Sequence, residues 1–102
     1  MHLVQLLLPL YDNAGKPFAN VLFGAVRAEL TKRFGGLTAY QRAPAEGLYD
    51  DARGHVVRDD VVIFEVMCEE LDERYWASYR AELTTAFSQD ELVVRALAMQ
   101  RL

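Results

Sequence analysis

Residues 27–34 read RAELTKRF and residues 80–87 read RAELTTAF, the same residue at six of eight positions with 53 residues between the two starts. Each copy completes an amphipathic pattern. In the first, Ala19, Leu22, Phe23, Val26, Leu30 and Phe34 recur at three- and four-residue spacing, which predicts one buried helix face. Pro17 suits the opening turn of that helix, and the glycines at 35 and 36 supply a left-handed stop. In the second, Asp72 is a natural N-cap and Trp76, Tyr79, Leu83, Ala86 and Phe87 form the stripe. Arg27, Glu29, Arg80 and Glu82 read as solvated helix charges.

Each predicted helix lies between two runs with strand composition. LVQLLLPLY precedes the first and LTAYQR follows it; DVVIFEVMC precedes the second and ELVVRALAM follows it. Strand-helix-strand, twice, predicts the ferredoxin-like βαββαβ arrangement: an α+β fold with a four-stranded antiparallel sheet and both helices on one face. The polar segment APAEGLYDDARGH joins the halves and reads as a loop. At 102 residues the whole chain, 1–102, is expected to be one domain with a core large enough to need no staples.

Strand alternation sorts the sheet residues by face. Val4, Leu6 and Leu8 oppose Leu3, Gln5 and Leu7; Val62, Phe64, Val66 and Cys68 oppose Val61, Ile63, Glu65 and Met67. Leu37 and Ala39 oppose Thr38, Tyr40 and Arg42; Leu92, Val94 and Ala96 oppose Val93, Arg95 and Leu97. The wholly apolar sets belong under the helices. The other face then carries Gln5, Tyr40, Arg42, Glu65 and Arg95 among large apolar residues, and Arg95, Gln5, Glu65 and Tyr40 are expected in a row. So apolar a face calls for a cover, and the expected partner is a second copy packed sheet to sheet. Glu65 inside such a homodimer would need Arg95 or Arg42 beside it.

LTKRFGGLTAYQRAPAEGLY, a helix running into a double glycine and then a Thr-aromatic strand, resembles small uncharacterised bacterial proteins with a ferredoxin-like fold. By layout alone the chain is similar to the dimeric α+β barrel superfamily, which includes cofactor-free oxygenases, isomerases and ligand-sensing domains. The second likeness implies paired subunits and transfers no catalytic residue.

Net charge −4 disfavours a phosphate-backbone partner, and a sheet with Gln5 and Glu65 on its central strands is no platform for stacked bases, so no nucleic acid is expected. The single cysteine, Cys68, excludes an intrachain disulfide and a cysteine-held iron–sulfur cluster. Placed on the helix side of its strand, it reads as a small buried hydrophobe. His55, near Asp50, Asp51, Asp59 and Asp60, lacks the spacing of a metal-ligand motif and reads as part of a turn. No cofactor or metal is expected. The apolar N-terminal run lacks a basic start and a cleavage site and is too short to span a membrane, so a cytoplasmic protein with no membrane partner is expected.

For chemistry, Glu65 is the candidate catalytic residue. A carboxylate in an apolar cavity serves as a general base, with Arg95 or Arg42 holding an anion and Tyr40 donating a hydrogen bond. The competing account of the same cluster is a structural ion pair that sets the register of a dimer. The functional expectation is a small homodimeric domain of unknown function holding an acidic or aromatic organic ligand at Gln5, Tyr40, Arg42, Glu65 and Arg95. The alternatives are a cofactor-free oxygenase or isomerase and a purely structural or regulatory interaction module.

Overall fold

The computed structural model describes residues 1–41, 48–50, 56–58 and 60–102, with the backbone alone described for residues 40, 41, 48–50 and 56–58. The elements run β1 (His2–Pro9), α1 (Asn20–Phe34), β2 (Thr38–Gln41), β3 (Leu48–Asp50), β4 (Val56–Arg58), β5 (Val61–Cys68), α2 (Glu73–Ala86) and β6 (Val94–Ala98). Strands β2, β5, β1 and β6 lie in that order in one antiparallel sheet, the ferredoxin-like order in which the last strand flanks the first.

Burial follows the alternation along the strands. Val4, Leu6 and Leu8 of β1 and Val62, Phe64 and Val66 of β5 join one core with Phe23, Val26 and Leu30 of α1 and Trp76, Tyr79 and Leu83 of α2. The two copies of the octapeptide occupy equivalent places at the C-terminal ends of the helices. Their leucines, Leu30 and Leu83, are 0% and 4% exposed, and Phe87 closes the second copy at 0%. The repeated pattern thus marks the two halves of one core.

One helix stop and one helix start follow the sequence. Gly35 takes φ 78°, and its N–H bonds the Thr31 carbonyl, a conformation open to glycine at little steric cost. The Asp72 carboxylate accepts from the Tyr75 N–H at 3.1 Å. The start of α1 differs from expectation. Pro17 lies outside the helix, in an isolated bridge with Tyr11, and the helix opens three residues later behind Ala19. The cause is the Asp12–Lys16 turn. Asp12 Oδ1 accepts from the N–H groups of Ala14 and Lys16, and Gly15 adopts φ 80°. That turn holds Phe18 against the Leu10 carbonyl and delays the helix.

A second correction concerns the segment joining the halves. Leu48–Asp50 and Val56–Arg58 pair antiparallel as a separate two-stranded ladder, so the segment is not wholly loop. Its apolar Leu48 and Tyr49, and Val56 and Val57 just after it, are short runs with strand propensity that the surrounding Gly, Pro and Asp obscured.

Candidate functional site

The site is built on the sheet face opposite the helices. Register places Arg95 of β6 opposite Gln5 of β1, Gln5 opposite Glu65 of β5, and Glu65 opposite Thr38 of β2. On one side of this row lie Leu97, Leu3 and Met67, and on the other Leu7, Ile63 and Tyr40. One polar row therefore crosses the sheet between two apolar rows.

Gln5 is the centre of the row. Its Nε2 donates to Glu65 Oε2 at 2.6 Å, and its Oε1 accepts from Arg95 Nε at 2.7 Å. A primary amide offers one donor end and one acceptor end, so it alone among the three can join a cation to an anion two strands away. The charges at both ends fix its orientation: a carboxylate must accept and a guanidinium must donate. The expected contact between Glu65 and Arg95 is thus mediated by Gln5.

The position expected for Tyr40 belongs to Thr38. Tyr40 keeps the same parity but pairs in register with Ile63, one step further along the face. Arg42, His55, Asp51 and Asp59 fall outside the described residues. Among the described residues no three His, Cys, Asp or Glu side chains gather as a metal site.

Two hollows meet the row at its ends. One, of about 380 Å³, is lined by Glu65 with Leu3, Gly36, Thr38 and Met67. The other, of about 260 Å³, lies between α2 and β6; Arg95 and Arg80 border it over Val4, Trp76 and Val94. Glu65 thus lines one recess, and Arg95 and Arg80 line the other together with Glu73. The carboxylate can receive a proton or a cation, and the guanidinium can hold an anion.

The apolar flanks differ in exposure. Met67, Val93 and Leu97 are 48%, 45% and 48% exposed, whereas Ile63 is buried at 3% although it faces away from the helices. Leu7 and Tyr40 flank it in register.

Cys68 lies on the helix-facing side as its parity requires, half-buried against the core. Burial pushes its thiol pKa up, against a smaller opposing pull from the N-terminal ammonium. That is the opposite of an activated nucleophile.

Strand parity carried no signal for a second polar cluster, between the helices. The Tyr75 hydroxyl donates to Glu29 of α1 at 3.1 Å, so Glu29 is not a freely solvated charge. Tyr75 also stacks on Tyr79, and Arg33 lies 3.7 Å from the centre of the Tyr75 ring. Phe34 stacks on Trp76 with 8° between the planes. Three- and four-residue spacing marked Trp76, Tyr79 and Leu83 as the stripe of α2, but a contact between helices needs their packing.

No family model and no curated protein matches the chain. Two solved structures match it, both of a phage SAM lyase. The likeness is one of fold. The structure in complex with S-methyl-5'-thioadenosine aligns over 94% of this chain and 79% of that chain, with TM-score 0.56 and 18% identity. The apo structure aligns over 94% and 78%, with TM-score 0.54 and 18% identity. Among the described residues no helix is long and apolar enough to cross a membrane.

Proposed function

We propose that this protein binds a small organic acid on the open face of its sheet and that a second copy, packed sheet to sheet, closes over the ligand. The observation that carries the reading is the Arg95–Gln5–Glu65 row lying between two apolar rows. Arg95 spends its Nε on Gln5 and has its terminal amino groups for a carboxylate ligand. Val93 and Leu97, on either side of Arg95 along β6, offer apolar surface for the carbon body. Leu97, Val93 and Met67, each nearly half exposed, favour a covering partner.

A thermal-shift panel of aliphatic and aromatic carboxylic acids tests the reading. A carboxylate should raise the melting temperature of the protein and fail to do so after Arg95→Met. A flat response across the panel would overturn it and favour a plain interaction module.

One observation favours a catalytic second reading: the hollow against Glu65, in a chain whose fold matches that of a lyase. Glu65 would act there as general base on a bound small molecule. S-methyl-5'-thioadenosine, held by the matching structure, therefore belongs in the panel as a probe. If Glu65→Gln unfolds the protein or splits the dimer, the carboxylate is structural and the catalytic reading fails. If stability is retained, the structural ion-pair account fails instead.

A further inference from the structure

Strand β6 is an outer strand of the sheet and pairs there with β1 alone. Hydrogen bonds fix which of its backbone groups are spare. The Val93 carbonyl accepts from the Leu7 N–H at 3.0 Å, and the Met99 N–H donates to the Met1 carbonyl at 3.1 Å. In an antiparallel ladder one residue turns both of its backbone groups toward a neighbouring strand and the next turns both away. Val93, Arg95 and Leu97 thus bond toward β1, and Val94, Ala96 and Ala98 turn their N–H and carbonyl groups outward.

The side chains of the same three residues lie on the helix-facing side, since Val94 and Ala96 pair in register with Leu6 and Val4. The helices do not cover them fully. Ala96 and Ala98 are exposed, whereas Val4 and Leu6 beside them are 1% and 0% exposed. A hollow of about 260 Å³ lies there, lined by Val94, Arg95 and Ala96 of β6, Trp76 and Ala77 of α2, and Val4. A strand lining a hollow with one face would contribute every second residue; three in succession place the hollow along the strand's edge. Bare edges are commonly guarded by charge, Pro or a bulge. The one charge on β6, Arg95, is held on the opposite face by Gln5.

The hollow carries opposite charges at its two ends. Glu73 and Arg80 line it on either side of Trp76 along α2, and among the described residues neither side chain has an ion pair or hydrogen bond. Arg80 also borders Asp90, Glu91 and Leu92, which lead into β6, so it marks the Val94 end and Glu73 the Ala98 end.

We propose that the edge of β6 and the hollow between it and α2 bind an extended segment of a partner protein, which joins the sheet as a fifth, antiparallel strand. Direction sets its chemistry. Running opposite to β6, the segment passes from Glu73 to Arg80 and stands opposite Ala98, Ala96 and Val94 in turn. The residue opposite Ala96 puts an apolar side chain into the hollow. Two residues before it a Lys or Arg meets Glu73, and two residues after it an Asp or Glu meets Arg80. A second copy's β6 fits less well: on that face it offers Val94, Ala96 and Ala98, which leave both charges unmet. The site uses the strand's edge and its helix side, so it stands apart from the carboxylate-binding face.

Fluorescence anisotropy of the whole chain with the labelled peptide Ser-Lys-Thr-Leu-Thr-Glu-Ser tests this, with the peptide's Lys and Glu exchanged as a control. The first peptide should bind saturably and about tenfold more tightly than the exchanged one. Glu73→Arg combined with Arg80→Glu should reverse that preference. Methylating the Leu nitrogen should abolish binding, whereas methylating the next Thr nitrogen should not, since only the first faces β6. Ala96→Pro removes an outward N–H without touching the β1 ladder and should weaken binding by about tenfold, circular dichroism confirming the fold. No saturable binding, a preference that survives the charge swap, or equal effects of the two methylations would each overturn the proposal. Self-association abolished by Ala96→Pro, with no peptide bound, would assign the edge to a second copy and overturn it too.

Discussion

Gln5 and Glu65, opposite each other on the two central strands, are joined by a 2.6 Å hydrogen bond from amide to carboxylate. The same amide carries Arg95 on its other end, so removing one neutral side chain uncouples two charged ones. A neutral bridge also avoids the side-by-side placement of long charged side chains that a direct pair would require. Each charged group lines a hollow of its own.

Gln5→Leu should therefore lower stability by about 1–2 kcal/mol, because the carboxylate and the guanidinium both lose this partner on a half-buried face. Gln5→Glu should cost more, since it sets two carboxylates directly opposite each other across β1 and β5. Urea unfolding of the two variants reads the order. If Gln5→Leu is as stable as the parent, the row has no structural weight.

Sedimentation of the parent protein should reveal a dimer, with Leu97→Asp and Met67→Lys weakening it by about tenfold or more without unfolding the subunit. Both side chains are 48% exposed, so the subunit itself loses little by the change. A parent chain that stays monomeric at millimolar concentration rules out the sheet-to-sheet pairing.

The paired tyrosines set an alkaline limit. Burial first, and for Tyr75 the hydrogen bond to Glu29 next, raise both phenol pKa values above the ordinary 10.0. Between the ordinary and the raised value the unfolded chain loses these protons while the folded one keeps them. Stability is then full below about pH 10 and falls as pH rises further. Melting temperatures from pH 8 to 11 should show this decline, and Tyr75→Phe with Tyr79→Phe should flatten it. Absorbance at the phenolate band should show delayed ionisation in the folded protein.

Cys68, with its thiol pKa raised by burial, should react with a disulfide reagent at least about tenfold more slowly in the native protein than in urea. Equal rates in the two conditions would show that the thiol is open in the fold.

Local period made a good deal of this protein legible in its residues. Two-residue alternation assigned Val4, Leu6, Leu8, Val62, Phe64 and Val66 to the core and Gln5, Glu65 and Arg95 to the far face. Three- and four-residue spacing found the buried stripes of both helices, and Gly35 marked a left-handed stop. These features depend on backbone geometry within one element, so the order of residue types carries them.

Other features arise only when separate elements meet. Whether Thr38 or Tyr40 stands opposite Glu65 depends on how the turn after Gly35 delivers β2, and a slip of two residues keeps every side chain on its own face while changing its neighbour. The Gln5 bridge and the reach of Tyr75 to Glu29 join residues far apart in the chain. Periodicity reports which way a side chain points; what it meets there is decided by register and by the packing of one element on another, which no single segment encodes.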